Sequence, residues 1–306
     1  MQSEIVKSPL NYTGGKYKLL PQLLPLFPKN INTMVDLFCG GCNVGVNVSA
    51  KSIVSIDSSS EVIGLINTFK AYDKNIFIDM VEAKIKEYGL SLATVNGYEY
   101  YDCNGSDGLS KFNKDKFIKL RADLNQFEDK KSQEYFLLFY ILILYSFNNQ
   151  IRFNSKNQFN IPAGKRDFNS KAKDNLIKFI DKLKTLNILF MCDDFRNTKL
   201  NELGMNDFLY ADPPYLITTA TYNEQGGWAE KDELDLYNLL DVIDSNGVKF
   251  ALSNVLECKG RSNNILKTWS KRYNINFLDF NYNNSNYHIN NKTDKSIEVL
   301  VTNYKV

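Results

Sequence analysis

The stretch "TMVDLFCGGCNVGVNVSAKSIVSID", residues 33–57, sets the architecture of the chain. "TMVDLF" (33–38) has the apolar character of a buried strand, and the glycine-rich turn after it is expected to run into a helix. "SIVSID" (52–57) predicts a second strand, and "SSEVIGLINTFKAY" then begins with serine caps and continues with helical apolar spacing. Two successive strand–helix units indicate a parallel, doubly wound sheet.

The strand–helix alternation stops near residue 73 and resumes near residue 186. The segment between them contains three stretches with helical spacing, "NIFIDMVEAKIKEYGL", "NKDKFIKLRADLNQF" and "SQEYFLLFYILILYSF". "QIRFNSKNQFNIPAG" predicts a small hairpin over 151–162, because "NSKN" can turn between two short alternating stretches. We therefore expect residues 73–185 to be a mainly helical insertion.

The sheet pattern returns in the last part of the chain. Five strands are predicted there, "NILFMCDDF" (187–195), "DFLYAD" (207–212), "VKFALSNV" (248–255), "NINFLDFNY" (274–282) and "IEVLVTNY" (297–304), with the helix "EKDELDLYNLLDVIDS" between the second and the third. No helix signal separates the last two strands, which favours an antiparallel pair. The predicted fold is α/β: a doubly wound, mostly parallel sheet with a closing antiparallel strand, in residues 1–72 and 186–306.

Composition narrows the class of protein only weakly. The 306 residues are 43% hydrophobic and 24% charged, which is typical of a globular protein, and no apolar run approaches the roughly 20 residues of a membrane span. The beginning of the sequence lacks the layout of a signal peptide, so we expect a cytoplasmic protein without a membrane partner. Cys39 and Cys42 form a C-x-x-C pair, but the other three cysteines are isolated and His288 is the only histidine. We therefore predict no metal site.

A local basic stretch stands out against a net charge of only +2. Between residues 152 and 174 only Asp167 and Asp174 are acidic, whereas the basic residues are Arg152, Lys156, Lys165, Arg166, Lys171 and Lys173. Such a stretch, rich in Asn, Gln and Phe, is typical of a nucleic-acid-binding surface. Taken alone, it would favour an ordinary solvated surface.

The glycine turn and the second strand together favour a nucleotide-like ligand. A strand that leads into Gly40 and Gly41 brings backbone amides close to such a ligand. Asp57 ends the next strand about 17–20 positions on, where folds of this kind place an acid that binds ribose hydroxyls. The turn does not match G-x-G-x-x-G and lacks the lysine of a P-loop, so neither NAD nor ATP is specifically indicated.

The second motif is "DFLYADPPYL", residues 207–216. Asp212 follows a predicted strand at the edge where open α/β sheets bind ligands, and Pro213 and Pro214 restrict the backbone around it. The Asp212 carboxylate and the Pro213 carbonyl oxygen would be two fixed acceptors beside the flat ring of Tyr215. Two acceptors and a stacking ring suit an exocyclic amino group on a planar base. The plainer interpretation is a proline-rich strand exit with a surface tyrosine.

Five motifs in order resemble those of Dam-type DNA adenine N6-methyltransferases, the D12 class. They are "NYTGGKYKLL", "DLFCGGCNVG", "SIDSSSEVIGLIN", "NNQIRFNSKNQFNIPAG" and "DFLYADPPYL", and "LSNV", "NSNY" and "EVLVTNY" are similar to later family elements. The resemblance implies a class I methyltransferase-like sheet domain that binds S-adenosylmethionine, with residues 73–185 as a DNA-binding target-recognition domain. It also implies methyl transfer to N6 of a flipped-out adenine in duplex DNA, within a restriction-modification or adenine-methylation system.

The resemblance carries roles to individual residues. It implies that Asp57 binds the cofactor ribose and that Asp194 and Phe195 lie near the cofactor adenine. The implied catalytic residues are Asp212, Pro213, Pro214 and Tyr215. The implied cofactor-binding residues are Tyr12, Gly14, Lys16, Asp36, Phe38, Gly40, Asn43, Asp57, Asp194, Phe195 and Asp212. The implied DNA-binding residues are Asn148, Arg152, Asn154, Asn160, Lys165 and Arg166.

One position departs from the family pattern. The glycine loop of the family usually reads F-x-G-x-G, and here Cys42 occupies the second glycine position. Because cysteine lacks the tolerance of glycine for positive φ, the loop geometry and the cofactor affinity are in question. A catalytically impaired DNA-binding module is therefore one alternative, and a cytosine-N4 methyltransferase or an amino methyltransferase acting on RNA or protein is another. Asp212 favours adenine over cytosine, since the cytosine enzymes more often carry serine there.

The expected partners follow from the same resemblance. Double-stranded DNA is the expected substrate, and the protein is expected to act as a monomer or weak dimer, with a cognate restriction endonuclease left open. The recognition sequence is not readable from the chain, and GATC is a first guess taken from the Dam relatives. In the expected mechanism, Asp212 and the Pro213 carbonyl each accept an N6–H, which localises the N6 lone pair.

Overall fold

A computed structural model describes residues 4–103, 108–200, 202–218, 227–279 and 296–306. The chain divides into two units, each built from two segments. The sheet unit consists of Lys16–Ser58 and Asn187–Val306, and the helical unit consists of Met1–Gly15 and Ser59–Leu186. His288 and the "NSNY" stretch, for which the sequence raised expectations, lie outside the described residues.

A mixed sheet forms the centre of the sheet unit. Its strands are β1 (Ile31–Leu37), β2 (Ala50–Asp57), β3 (Ile188–Cys192), β4 (Phe208–Ala211), β5 (Lys249–Cys258), β6 (Arg261–Ser262), β7 (Asn274–Leu278) and β8 (Ile297–Thr302). The order across the sheet is β3-β2-β1-β4-β5-β8-β7, and β6 pairs with the end of β5. The first five strands of that order are parallel, and β8 lies antiparallel between β5 and β7. The predicted doubly wound sheet with a closing antiparallel strand is confirmed.

The helices are divided between the two units. In chain order they are α1 (Leu20–Leu23), α2 (Ser60–Ala71), α3 (Lys74–Glu87), α4 (Ala93–Asn96), α5 (Ser110–Asn125), α6 (Gln133–Tyr145), α7 (Ser170–Thr185), α8 (Glu230–Ser245) and α9 (Asn264–Trp269). α1, α8 and α9 belong to the sheet unit, and α2 to α7 belong to the helical unit. Of these, α4, α7 and α9 were not singled out from the sequence.

Apolar side chains of α8 cover one face of the sheet. Leu236, Leu240 and Ile243 are buried in one cluster with Val35 of β1 and Phe250 of β5. Their spacing of three or four positions places them on one side of the helix. The predicted helix over "EKDELDLYNLLDVIDS" is confirmed at both of its ends.

The core of the helical unit is built around α6. All residues from Tyr135 to Tyr145 are buried, which agrees with the continuous apolar sequence of this helix. Phe69 of α2 contacts the rings of Phe77 in α3, Tyr140 in α6 and Phe179 in α7, with ring centroids 5.1–6.3 Å apart. Aromatic contacts of this kind add to the free energy gained from burial.

Two expectations about the first half of the chain are corrected. The glycine turn does not run into an α-helix, because only a short 3-10 turn, Gly45–Asn47, separates it from β2. Left-handed backbone angles at Phe38, Gly40 and Cys42 are incompatible with a continuous helix. In addition, α2 was expected in the sheet domain, whereas it packs against α6 and α7, so the helical unit begins at residue 59 rather than 73.

The hairpin predicted over 151–162 is confirmed as a short one. Phe153 pairs antiparallel with Phe159, and the Asn154 N–H donates to the Gln158 carbonyl oxygen at 2.9 Å to close the turn. Phe159 is anchored through both backbone groups to the Asn125 side chain of α5, at 2.8 and 3.1 Å. The hairpin is thus held by side chains from the helices.

Gly64 of α2 permits close packing against α6. A Cβ atom at this position would lie 2.0 Å from Cζ of Phe136. Gly64→Ala should therefore lower the free energy of unfolding by about 1–3 kcal/mol, although alanine is otherwise the better helix former by about 1 kcal/mol. Urea unfolding followed by circular dichroism measures the change.

The matched double variant Gly64→Ala/Phe136→Leu tests the cause. It should recover part of the lost stability, because leucine leaves room for the added methyl group. A Gly64→Ala protein as stable as the wild type would show that α2 and α6 do not pack as described.

Candidate active site

Asp212 stands directly after β4 at the carboxyl edge of the parallel strands. Its N–H donates to the Leu37 carbonyl oxygen at 3.2 Å, so the pairing with β1 continues one residue beyond β4. Tyr210 and Ala211 before it are fully buried, and Pro213 after it is also buried. The carboxylate is therefore attached to a backbone that is fixed on both sides by pairing and by the restricted φ of proline.

A buried ion pair holds the Asp212 side chain. The Lys16 ammonium lies 2.8 Å from Asp212 Oδ1 and 3.8 Å from Oε1 of Glu298. The Lys16 side chain is 4% exposed and the Asp212 side chain 16%, so solvent screens their attraction little. Lys16 Nζ also lies 4.9 Å from the centre of the Tyr215 ring.

Glu298 is a member of this cluster that we did not identify from the sequence. It lies near the start of β8, is 2% exposed, and accepts a hydrogen bond from the Tyr215 hydroxyl at 3.0 Å. The same hydroxyl lies 3.2 Å from Asp212 Oδ1. A glutamate within the apolar run "IEVLVT" was the available signal, since a buried charge requires a partner.

The surroundings shift the acidity of Asp212. Burial raises the pKa of its carboxyl group, the Lys16 ammonium lowers the pKa, and the nearby Glu298 raises it again, so that the pKa lies above its ordinary value. The contacts of this carboxylate with Lys16 and Tyr215 both use Oδ1. The contacts with described residues therefore leave Oδ2 of Asp212 available to accept a hydrogen bond from a substrate.

The turn after β1 is organised by Asp36. Its Oδ2 accepts the Gly45 N–H at 2.9 Å, and a Cβ at residue 45 would lie only 2.8 Å from that oxygen. Burial raises the pKa of Asp36 to about 8, the Gly45 hydrogen bond lowers the pKa, and the charges of Asp212 and Asp57 raise it. Asp36 is consequently a neutral acid near pH 7.

Cys42 has a positive φ of 59°, the backbone region that glycine adopts most easily. Its side chain is fully buried, and its Sγ lies 3.4 Å from the Ser55 hydroxyl of β2. The loop therefore keeps the geometry of its second glycine position in spite of the substitution. Cys39 and Cys42 are both free thiols, and burial raises the pKa of Cys39 well above its ordinary value.

The predicted cofactor residues in the sheet unit come together at one edge. Asp57 ends β2, and its Oδ2 accepts the Gly40 N–H at 2.9 Å. Asn43 lies in the same turn and is buried. Asp194 follows β3, is exposed, and caps the short turn Phe195–Asn197 by accepting the Arg196 N–H at 2.9 Å.

An aromatic cluster lies at this edge. The rings of Phe38, Phe195 and Trp228 contact one another, with centroids 5.3–5.7 Å apart. Trp228 is a second residue that we did not single out from the sequence, and its Nε1–H donates to the buried Glu233 at 2.6 Å. The Arg196 guanidinium stacks over Phe195 at 4.4 Å.

The remaining predicted residues belong to the helical unit. Tyr12 is half-buried and Gly14 is exposed with φ of 80°, in a turn closed by the Gly15 N–H and the Tyr12 carbonyl oxygen at 3.1 Å. Lys165 and Arg166 are exposed.

The hairpin brings three of the predicted DNA-binding residues together. Arg152 Nε donates to Asn160 Oδ1 at 2.9 Å across the hairpin, and Asn154 Oδ1 accepts two turn N–H groups, at 2.9 and 3.0 Å. Asn148 has a positive φ of 54°, and its carbonyl oxygen accepts the Asn11 side-chain amide at 2.7 Å.

Membrane-spanning helices and metal-binding clusters are both absent from the described part of the chain. No helix there is long and apolar enough to span a membrane. No group of three or more His, Cys, Asp or Glu side chains in the described ranges could hold a metal ion.

Comparison with known proteins agrees with the order of the motifs. A family model described as D12 class N6 adenine-specific DNA methyltransferase matches residues 12–284. The chain therefore belongs to the D12 class of N6 adenine-specific DNA methyltransferases, and the resemblance seen in the sequence is confirmed. The sheet has the class I methyltransferase-like architecture that this resemblance implied.

Individual relatives can be named within that class. Modification methylase StsI of Streptococcus sanguinis and Type II methyltransferase M.FokI of Planomicrobium okeanokoites are each 41% identical over 98% of this chain and 43% of their own length. The chain thus spans less than half of these two relatives. An rRNA methyltransferase structure, aviRa from Streptomyces viridochromogenes, is similar with a TM-score of 0.35 at 10% identity, covering 94% of this chain and 82% of that one.

The raised pKa of Asp36 predicts a pH-dependent stability. The folded state keeps a proton on Asp36 up to about pH 8, whereas the unfolded chain loses it near pH 4, so stability falls as the pH rises between these values. From pH 6 to pH 8 the loss should be about 2 kcal/mol. Asp36→Asn, which mimics the neutral acid, should abolish this part of the loss.

Urea unfolding of both proteins at the two pH values measures the difference. At pH 6 Asp36→Asn should already be more stable than the wild type by about 2–3 kcal/mol, because only the wild type gains free energy on unfolding by ionising residue 36, while asparagine stays neutral and can still accept the Gly45 N–H. An equal pH dependence in both proteins would contradict the assignment of this titration to Asp36.

Proposed function

We propose that the chain transfers a methyl group from S-adenosylmethionine to N6 of a flipped-out adenine in duplex DNA. The observation that carries this proposal is Asp212-Pro213-Pro214-Tyr215 at the carboxyl end of β4, with Asp212 paired to a buried lysine, in a member of the D12 class. The names of the relatives, a modification methylase and a Type II methyltransferase, support the same activity.

The sheet edge fits S-adenosylmethionine by its chemistry. Asp57 offers a carboxylate to the ribose hydroxyls, and Phe38 and Phe195 offer an apolar surface to the adenine. Gly40 would allow the backbone to approach the cofactor closely. Asp36 is neutral near pH 7 and therefore adds no second negative charge beside Asp57. The cofactor would supply an already activated methyl group on a sulfonium centre. Tyr12 and Gly14 of the helical unit are also proposed to bind the cofactor, as the family resemblance implies.

The role of Asp212 is to improve a poor nucleophile. The N6 lone pair of adenine is delocalised into the ring, and an acceptor on each N6–H favours the tetrahedral form in which the pair is localised. Asp212 Oδ2 and the Pro213 carbonyl oxygen are the two proposed acceptors. Because Lys16 and Tyr215 hold Oδ1, the carboxylate is oriented before the substrate arrives.

The helical unit is proposed to bind the DNA. Extruding a base from the duplex costs a few kcal/mol, and stacking on Tyr215 would recover on the order of 1–3 kcal/mol of it. The hairpin around Phe153 and Phe159 is supported by α5 and α6, so it can present Arg152 and Asn154 on a rigid base. Asn148, Asn160 and the exposed Lys165 and Arg166 extend the same proposed surface.

A restriction system is the proposed setting. Both named relatives carry names of modification enzymes, which supports a cognate restriction endonuclease as a partner. Expression in a methylation-deficient host, followed by sequencing that detects N6-methyladenine at single-base resolution, identifies the modified base and the motif together. Cytosine N4 methylation in that experiment, or no modified base, would overturn the proposal.

Replacing Asp212 tests the proposed chemistry. Asp212→Ala should reduce methyl transfer by roughly 10³-fold or more, because it removes an acceptor that acts on the reacting nitrogen. Its affinities for S-adenosylmethionine, by calorimetry, and for a duplex should remain within a few-fold of wild type. Incorporation of tritiated methyl groups measures the transfer.

The control is Asp174→Ala, which removes an exposed carboxylate of α7 and should leave the rate unchanged. Near-normal turnover of Asp212→Ala would remove Asp212 from the mechanism. A wild-type chain that binds no S-adenosylmethionine would favour the impaired DNA-binding module instead.

Replacing Arg152 tests the proposed DNA surface. Arg152→Ala removes a positive charge and the bond to Asn160, so duplex affinity should fall by about 1–3 kcal/mol and discrimination among sequences should weaken. Cofactor affinity should not change. Binding is measured by fluorescence anisotropy with matched and mismatched duplexes at two salt concentrations.

Lys305→Ala, which removes an exposed lysine of the sheet unit, is the matched control and should bind DNA as the wild type does. If Arg152→Ala altered only the affinity for S-adenosylmethionine, the DNA surface would lie elsewhere.

A further inference from the structure

Glu298 has no part in the function proposed above, yet it is buried in the candidate active site. It lies on β8 between β5 and β7, and only 3% of its side chain is exposed. Burying a carboxylate costs several kcal/mol unless charges and hydrogen bonds compensate for it. Lys16 is already paired with Asp212 at 2.8 Å and lies farther from Glu298, at 3.8 Å.

The Tyr215 hydroxyl connects the two carboxylates. Its oxygen lies 3.2 Å from Asp212 Oδ1 and 3.0 Å from Glu298 Oε1. A phenol has one hydrogen to donate and can accept another, so it can take a proton from one neighbour while giving its own to the next. Both distances are within hydrogen-bond range. Asp212, Tyr215 and Glu298 thus form a continuous hydrogen-bonded path from the carboxyl end of β4 to the buried part of β8.

The proposed methyl transfer produces a proton that must leave N6. As the N–C bond forms, N6 keeps both of its hydrogens for a moment and becomes acidic. Asp212 is the nearest proposed acceptor, but a protonated Asp212 can no longer polarise the next substrate. Turnover therefore requires a second acceptor or release to water.

We propose that Glu298 receives this proton from Asp212 through the Tyr215 hydroxyl. The inference rests on the proposed function. The N6–H bond breaks with its electron pair left on N6, and Asp212 takes the proton. The protonated carboxyl group of Asp212 turns about its Cβ–Cγ bond, which brings the proton from the Oδ2 side to the side of Tyr215. Asp212 then gives this proton to the Tyr215 oxygen while the original Tyr215 hydrogen passes to Glu298 Oε1. One proton has then moved from N6 to Glu298, with Tyr215 neutral before and after. When the product has left, the proton returns by the same path to Asp212, whose side chain is 16% exposed, and from there to water, which restores Glu298 for the next turnover.

The charges around Asp212 support the first step, in which Asp212 takes the proton from N6. Burial raises the pKa of Asp212, Lys16 lowers this pKa, and Glu298 raises it, so Glu298 makes Asp212 a better proton acceptor. Asp36 is neutral near pH 7 and therefore adds no charge beside Asp212. Lys16 lies near both carboxylates and can stabilise whichever is ionised. Glu298 is thus a positioning and proton-accepting residue that acts through Tyr215.

Three variants separate a proton path from a purely structural role. Glu298→Gln keeps the size of the side chain but cannot accept a proton as a carboxylate does. Tyr215→Phe keeps the stacking ring and the Lys16–Glu298 pair but interrupts the path. Each single variant should slow steady-state methyl transfer by about tenfold or more. The double variant should be no slower than the slower single one, because both changes interrupt the same path.

Independent roles would give a different result, since the losses of the two single variants would then multiply in the double variant. That outcome overturns the proposal, and so do single variants that turn over at the wild-type rate. Glu257→Gln is the matched control, because it changes a half-buried glutamate of the neighbouring strand β5 that pairs with Lys267. Its rate should equal that of the wild type.

A titration without substrate provides a second readout. Carbon-13 NMR of aspartate carboxyl groups, with Asp212→Asn to identify the signal, reports the pKa of Asp212 directly. Glu298→Gln should lower this pKa because a negative charge is removed, and Tyr215→Phe should raise it because a hydrogen bond to the carboxylate is lost. An Asp212 pKa unchanged in both variants would show that the three groups do not interact and would overturn the path.

The two proposals fail in different ways. If the wild type methylates adenine while Glu298→Gln and Tyr215→Phe match its rate, only the proton path is wrong. If the wild type methylates no adenine, the proposed function is wrong, and the proton path, which rests on it, falls with it. If Glu298→Gln does not fold, Tyr215→Phe alone decides, because a wild-type rate in that variant excludes a path through the hydroxyl.

Discussion

The structure of the candidate active site depends on the buried ion pair between Lys16 and Asp212. Two unlike charges 2.8 Å apart with little access to water attract strongly, and each compensates for the cost of burying the other. The pair also joins the beginning of the sheet unit to the end of β4, which lie far apart in the sequence. Because Lys16 and Tyr215 both use Oδ1, the second oxygen of Asp212 is oriented without any ligand. The Asp212 carboxylate is thus held in position by the same contacts that allow it to be buried.

A second constraint comes from the turn between β1 and β2. The chain must leave a parallel strand and return to the neighbouring strand within twelve residues. Left-handed residues and the Asp36–Gly45 hydrogen bond achieve this without a helix. Cys42 adopts a backbone angle that usually favours glycine, and burial of its side chain against Ser55 offsets some of the cost. Asp36 can remain buried here because it is neutral near pH 7.

Much of this organisation was predictable because local patterns carry it. Apolar runs bounded by turn residues located β1, β2, β4, β5 and α8 to within a few positions, and Asp57 and Asp212 were recognised as strand-terminal acids. The absence of a helix after the glycine turn was not predictable, because it results from side-chain hydrogen bonds and positive φ angles. The inclusion of α2 in the helical unit was also missed. Its amphipathic spacing shows that one face is buried, but spacing does not identify the partner helices.

The amino-acid sequence by itself determined the strand and helix periods, the acids at the strand ends and the ordered motifs of the D12 class. These are properties of contiguous residues, and short-range chain geometry is enough to express them. Only the tertiary structure decided that Glu298, 86 positions after Asp212 in the chain, contacts the same Tyr215 hydroxyl group as Asp212 does. The tertiary structure alone also decided that Trp228 packs on Phe38 and Phe195. Such contacts arise from strand order and register. These depend on how the whole sheet packs and cannot be read from any one segment.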